Sequence, residues 1–505
     1  MSIFLGGLWL QEHFHLNGFE HTHHSVLKSP FKDQASSYLT SADNLDIVQE
    51  VYSKQYLPTN DVFGHLEFYL KYDDINLEFL KNTFEKLSPQ YLLQYIQQKP
   101  KGKYQRRIGF LYEFLTATTI PFQPTGPTNY IDLLDSERYV TGETVKNNKW
   151  YLNNNLLGNR DYCPIIRLTP RLNQLLKIDI SQILNDVTHV FTKDMFYRAI
   201  NFLYTKETRS SYQIEQEKPS TEKVIRFVRL LEQAGKMPID ERLSETNLVA
   251  LQNAIVDSHY AAKGFRNFHN YVGQTAYNYR EVVHYICPPP AIINSLMNGL
   301  KTASLKSKKV HPIVLTTIVS FGFVFIHPFE DGNGRLHRFL IHDTLARCNF
   351  IADGMIIPVS ANMLNHIRSY DTILEKYSRP LMSRVKYELS QDNQIQVLNP
   401  SVVEAYYRYP DLTDQAIYLA ETIIATIKED IYNEIDFLTK YDAVKQAFQE
   451  IVDMPNQRFD LLVKLLHQNQ GQLASRKRSY FNELSDAEIR KMEFVFKEIF
   501  FPPSS

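Results

Sequence analysis

The segment His327 to Arg338 reads His-Pro-Phe-Glu-Asp-Gly-Asn-Gly-Arg-Leu-His-Arg and gathers an imidazole, a carboxylate, a Gly-Asn-Gly turn and two arginines into one short stretch. An imidazole titrates near neutrality, so His327 is suited to take a proton from an attacking hydroxyl. Gly332 and Gly334 permit positive φ and a close ligand approach, so successive N–H groups on either side of Asn333 can converge on one anion. Such a nest at the start of a helix binds phosphate. Arg335 and Arg338 fall on neighbouring positions of a helix and can reach further phosphates of the same ligand. Asp331 is a hard oxygen ligand suited to Mg²⁺, which bridges phosphate oxygens. Together these residues predict a nucleotide-phosphate site with a general base aimed at it.

Two helical patterns must hold this segment. Upstream, Pro312 to Ile326 is apolar on nearly every side (Ile313, Val314, Leu315, Ile318, Val319, Phe321, Phe323, Val324, Ile326), the pattern of a helix buried all round. Downstream, Leu336, Phe339, Leu340 and Leu345 recur at helical spacing from about Arg335. The chemistry therefore sits on a loop opening onto a helix N-terminus, with Phe329 expected to anchor the loop in the core.

The stretch resembles the signature of the Fic family, His-Pro-Phe-x-Asp/Glu-Gly-Asn-Gly-Arg-x-x-Arg, and every fixed position is present. The resemblance implies that His327 deprotonates a Ser, Thr or Tyr hydroxyl of a target protein, which attacks the α-phosphate of ATP and releases pyrophosphate. It further implies that Asp331 holds Mg²⁺, that Gly332, Asn333 and Gly334 cradle the phosphates, and that Arg335 and Arg338 contact the β- and γ-phosphates. The expected activity is a Mg-dependent protein adenylyltransferase, whose target could include the chain itself.

Upstream, a helical stretch from Asp186 to Thr208 runs into Arg209-Ser210-Ser211-Tyr212-Gln213-Ile214-Glu215-Gln216. Ser211 through Glu215 resembles the inhibitory helix of one Fic class, Ser/Thr-x-x-x-Glu-Gly/Asn, in which the helix precedes the core. The resemblance implies that Glu215 pairs with Arg338 and so blocks productive ATP binding. Gln216 departs from the usual Gly or Asn.

Around the core, Gly264 to Gly273 and Val282 to Ile286 form two β-prone runs about a polar turn, closed by Pro288-Pro289-Pro290. They predict a β-hairpin, which Fic cores use as a flap that holds a target segment by edge pairing. The expected fold is mainly α, a Fic-like helical core with a small hairpin flap between accessory regions. The boundaries read as 1–185 for an N-terminal accessory domain, 186–385 for the core with its inhibitory helix, and 386–505 for a C-terminal helical domain.

Composition bounds the rest. A chain of 505 residues exceeds one core and suggests roughly two or three domains. A formal net charge of −1 gives no overall attraction to nucleic acid or anionic membrane. Cys163, Cys287 and Cys348 are widely spaced and odd in number, which reads as reduced thiols in a cytoplasmic protein. No apolar run is long enough for a membrane helix, and the run from Ile3 to Leu10 lacks the basic start of a secretory signal. His13, His15, His21, His23 and His24 read as a partly packed segment more readily than as a metal site. Arg106 and Arg107 read as a solvated pair, and Arg476-Lys477-Arg478 as a solvated turn rather than a nucleic-acid reader. Two other functions fit the residues: removal of AMP from a modified protein with Glu215 positioning water, and nucleotide-gated binding of a partner. Target, transferred group and oligomeric state, a homodimer included, stay open at this level.

Overall fold

A computed structural model of the chain describes residues 2–28, 36–42, 45–124, 126–180, 182–184, 193–275, 281–351, 354–390 and 394–502. The fold is mainly helical with small sheets, as the apolar periodicities lead one to expect. It divides into two compact units. One comprises Met1–Ile178, Thr208–Gly354 and Met363–Thr422, the other Asp179–Glu207, Met355–Asn362 and Ile423–Ser505.

In the first unit the N-terminal region begins with a four-stranded mixed sheet that the sequence pattern does not announce. Strand Ser2–Phe4 pairs antiparallel with His23–Lys28, which pairs parallel with Leu45–Tyr52, and Ser36–Ala42 closes the other edge antiparallel. Helices Val62–Tyr72, Leu77–Phe84 and Pro89–Gln98 follow, each started by a side chain that accepts a backbone N–H: Asp61, Asn76 and Ser88. Helix Lys103–Thr116 ends the run and buries Ile108, Leu111 and Leu115 against a core that also holds Phe79, Phe84 and Trp150. Arg106 and Arg107 are buried, not solvated. Arg106 donates to the carbonyls of Asn129 and Tyr151, and Arg107 to that of Asp132. The two buried guanidiniums thus help to fix the backbone of the loops that cover them, each replacing water that the carbonyls would otherwise bind.

The His-rich segment has protein partners as well. Trp9 stacks on His13 and His65, and His23 lies 3.4 Å from Glu50. Among the described residues no group of three or more His, Cys, Asp or Glu is placed to hold a metal ion.

The part of the first unit that carries His327 is built on helix Pro312–Ile326, in which every residue from Ile313 onward is buried. It packs between helices Pro290–Lys306 and Asn333–Arg347. Pro290 opens the first of these, where a missing N–H costs nothing. The expected hairpin is present as antiparallel strands Tyr271–Thr275 and Glu281–Ile286, with a register shift between Val272 and Gly273.

In the second unit Val444, Phe448, Phe459, Leu462, Phe481, Met492 and Phe496 form a separate core. Ser485 and Glu488 make a reciprocal capping box at the start of helix Asp486–Phe500. Arg478 of the basic turn donates to the carbonyls of Phe481 and Leu484 and pairs with Asp486. No described helix is long and apolar enough to cross a membrane.

Candidate active site

His327 terminates the buried helix with φ 53° and ψ 59°, a left-handed conformation that a β-carbon disfavours. A single buried cation holds it there. Arg266 donates through Nε to the His327 carbonyl at 2.8 Å, through Nη1 to Phe268 at 2.7 Å and through Nη2 to Pro288 at 2.7 Å, and its backbone N–H reaches the Pro328 carbonyl at 2.9 Å. One guanidinium thereby ties the loop before the hairpin, the end of the hairpin and the turn carrying His327. Asn270, at the hairpin's base, adds longer contacts of 3.4 Å to the Phe329 and Glu330 carbonyls.

The His327 ring keeps some exposure, yet the protein around it lowers its pKa to about 4, by desolvation first and by the Arg266 charge second. The carboxylates of Glu215 and Asp331 act in the other direction and are outweighed. At neutral pH the imidazole is therefore a free base. Its Nδ1 lies 3.1 Å from the Val324 carbonyl, which can only accept, so the geometry assigns the proton to Nδ1 and leaves Nε2 as the basic nitrogen.

The loop beyond is self-supporting. Phe329 is buried, and the side chain of Asn333 bonds its backbone twice, accepting from N at 3.0 Å and donating to O at 2.9 Å. The Asn333 amide is thus committed to shaping the turn. Gly332 caps helix Asn333–Arg347 at φ 88°, and a β-carbon there would also meet Val256 at 2.8 Å. Glycine supplies no side chain to bond the first N–H groups, so the start of this helix is left open to an anion. Gln252, buried, secures the turn from behind by donating to the carbonyls of Tyr260 and Asp331.

An anion is already there. Helix Lys193–Ile214 ends beside the motif, and a β-carbon on Gly334 would meet Glu215 Oε1 at 2.2 Å. The carboxylate can approach the helix start only because residue 334 is glycine. Arg338, fully buried, donates through Nη2 to Glu215 Oε1 at 2.7 Å and to the Ser211 carbonyl at 2.7 Å, and through Nε to Ser211 Oγ at 2.8 Å. Burial works against the Arg338 charge, but Glu215 overcomes it and the pKa rises. Ser211, Glu215 and Arg338, picked from distant parts of the sequence, thus meet in one cluster.

Gln216 adopts φ 58°, and the Glu217 N–H bonds back to the Tyr212 carbonyl. The left-handed turn that Gly or Asn would make most readily is made here by glutamine. Asp331, expected to face a cation, accepts from its own neighbour Gly332 at 2.6 Å and from Arg335 Nη2 at 2.7 and 2.8 Å. Arg335 also donates to Glu217 at 2.5 Å and lies over the ring of Tyr212.

Arg266, Gln252 and Glu217 were not singled out by sequence reasoning. Arg266 left a usable trace, a lone cation between Phe265 and Phe268 in an aromatic run. Gln252 and Glu217 left none.

Residues 242–345 match the family model described as the Fic/DOC family. The matched stretch contains His327 to Arg338 and ends upstream at 242, beyond Ser211 and Glu215. The chain is similar to the crystal structure of a Fic family protein from Desulfovibrio desulfuricans G20, at 16% identity over 64% of this chain and 84% of that one, TM-score 0.38. It is also similar to a Fic domain containing signaling protein from Bacteroides thetaiotaomicron VPI-5482, at 15% identity over 53% of this chain and 97% of that one, TM-score 0.35. A search of curated proteins returned no significant match.

Proposed function

We propose, on the premise that residues 242–345 are a Fic/DOC family domain, that the chain transfers AMP from ATP to a Ser, Thr or Tyr hydroxyl of a target protein and that Glu215 holds this activity back. His327 Nε2 takes the hydroxyl proton while the oxygen attacks the α-phosphorus. A bond forms from the target oxygen to phosphorus, the bond to the bridging oxygen breaks, and pyrophosphate leaves. Because the imidazole is already neutral, no prior deprotonation is needed.

The helix start at Asn333 to Arg335 and the guanidinium of Arg338 would stabilise the charge on the phosphates, and electrostatic help of this kind usually outweighs the general base. Asp331 fits a Mg²⁺ ion as a hard carboxylate, 38% exposed at its side chain and held among the described residues by a neighbouring N–H and by Arg335. When bound there, Mg²⁺ would offset charge on the phosphate oxygens. The cytoplasmic setting and the protein target complete the reading.

The observation that carries it is the carboxylate of Glu215 seated on Arg338 against Gly334. The space accepts a negative oxygen, and while Glu215 fills it a terminal phosphate cannot. Glu215→Gly should therefore label protein from ATP carrying a labelled α-phosphate when the unsubstituted chain labels weakly. Release of free AMP from a modified target by the unsubstituted chain, lost in Glu215→Gly, would instead assign AMP removal.

A further inference from the structure

Beside the contact made by Glu215 lies a second one. The same turn of chain that carries Glu215 onto Arg338 carries Glu217 onto Arg335, at 2.5 Å. Arg335 is 4% exposed at its side chain and is gripped from three sides: Glu217 on Nη1, Asp331 on Nη2, and the Tyr212 ring across its face at 5.3 Å. Glu217 is shared. Its other oxygen accepts from Lys223 Nζ, which is buried and also donates to Asp257 at 2.8 Å. Tyr212 is fixed in turn by a bond from its hydroxyl to the Ile255 carbonyl at 2.7 Å.

We propose that Glu217 is a second positioning residue of the site, which holds Arg335 away from nucleotide phosphate and is itself moderated by Lys223. The proposal rests on the reading that Arg335 serves a nucleotide. A guanidinium has a fixed fork of donors, and one committed to two carboxylates has few left for a phosphate. The left-handed turn at Gln216 sets the spacing: it turns the chain so that carboxylates two residues apart meet arginines three apart on one helix. Removing Glu215 alone would then take the carboxylate off Arg338, which keeps its bonds to Ser211, and leave Arg335 engaged. Lys223, on the opposite oxygen of Glu217, offsets part of the carboxylate's charge, so removing Lys223 should tighten the hold on Arg335 and removing Glu217 should release it. Two substitutions in one network thus act in opposite directions, which a general loosening of the fold cannot reproduce.

The test measures binding of Mg²⁺ with a non-hydrolysable ATP analogue by calorimetry to the full chain, alongside transfer from ATP labelled on the α-phosphate. The proteins are the unsubstituted chain, Glu217→Gln, Lys223→Gln, Glu215→Gly and Glu215→Gly with Glu217→Gln. Glu217→Gln should bind at least about fivefold tighter, the low end of measured coupling between sites, and Lys223→Gln should bind more weakly. In the Glu215→Gly background, Glu217→Gln should lower KM and leave kcat in place. Unchanged or weaker binding in Glu217→Gln, or the same direction of change in Glu217→Gln and Lys223→Gln, overturns the proposal. Tighter binding without label in any variant would sustain the role of Glu217 and sink AMP transfer. Label in Glu215→Gly with binding indifferent to Glu217 would do the reverse.

Discussion

His327 is a base because of where its helix ends. The left-handed turn at φ 53° brings the ring into a protein environment beside Arg266, and the pKa falls to about 4 from an ordinary 6.5. Transfer by Glu215→Gly should accordingly be flat with pH across the ordinary histidine range and decline only toward pH 4. An inflection near 6.5 in kcat would contradict this account of the base. The same shift bears on stability, because the unfolded chain binds a proton at His327 where the folded chain does not. The folded-state pKa is depressed, so this contribution is fully present above about 6.5 and is lost as pH falls toward 4. Gln216 makes a second residue-scale case. Glycine there should relieve left-handed strain at some entropic expense, a net gain of about 0.5–1 kcal/mol. Hydrogen exchange should show stronger protection of the Gln216 and Glu217 amides, which bond to Gln213 and Tyr212. Unchanged or weaker protection would mean that the turn carries no strain.

At the scale of elements, the start of helix Asn333–Arg347 holds the Glu215 carboxylate, and the proposed function has a nucleotide phosphate compete with it for that place. Gly334→Ala tests this, because a β-carbon would meet Glu215 Oε1 at 2.2 Å and must displace it. Displacement frees Arg338 but puts a methyl group where phosphate must approach, so the variant should bind Mg²⁺ and ATP analogue at least about tenfold less than Glu215→Gly and should not transfer label. Transfer equal to that of Glu215→Gly would show that the phosphates lie elsewhere. The elements that build this helix start were legible. An all-round apolar run of 15 residues, too long for a typical strand and too short for a membrane span, reads as a buried helix, a Gly-Asn-Gly turn before helical spacing marks a helix start, and a Pro triplet ends a hairpin. The N-terminal sheet was not legible, because its first strand, Ser2–Phe4, and the following helix Gly6–His13 share one unbroken apolar run with no alternation. Arg106 and Arg107 were misread for a related reason: a charged pair on a helix looks solvated until the chain that covers it, here Asn129 to Tyr151, is in place. Arg266 and Gln252 act through backbone carbonyls, and the sequence does not record which carbonyls a side chain will meet.

At the scale of the whole molecule, the family model matches residues 242–345, while the contact that would regulate the site begins at Ser211. The compact units are discontinuous in sequence, with 355–362 assigned apart from the stretches on either side, and a linear reading has no means of drawing such boundaries. The motif was visible because its residues are contiguous. Its coupling to Glu215 was visible only through resemblance, since nothing in the spacing between 215 and 338 makes them neighbours. The most direct measurement incubates the unsubstituted chain, Glu215→Gly, and Glu215→Gly with His327→Ala with Mg²⁺ and ATP, labelled in parallel on the α- and on the γ-phosphate. Protein should take label from the α-phosphate alone, most strongly in Glu215→Gly, and lose it by about 10²- to 10⁴-fold when His327 is removed. Label from the γ-phosphate, or equal labelling with and without His327, would contradict AMP transfer by this site.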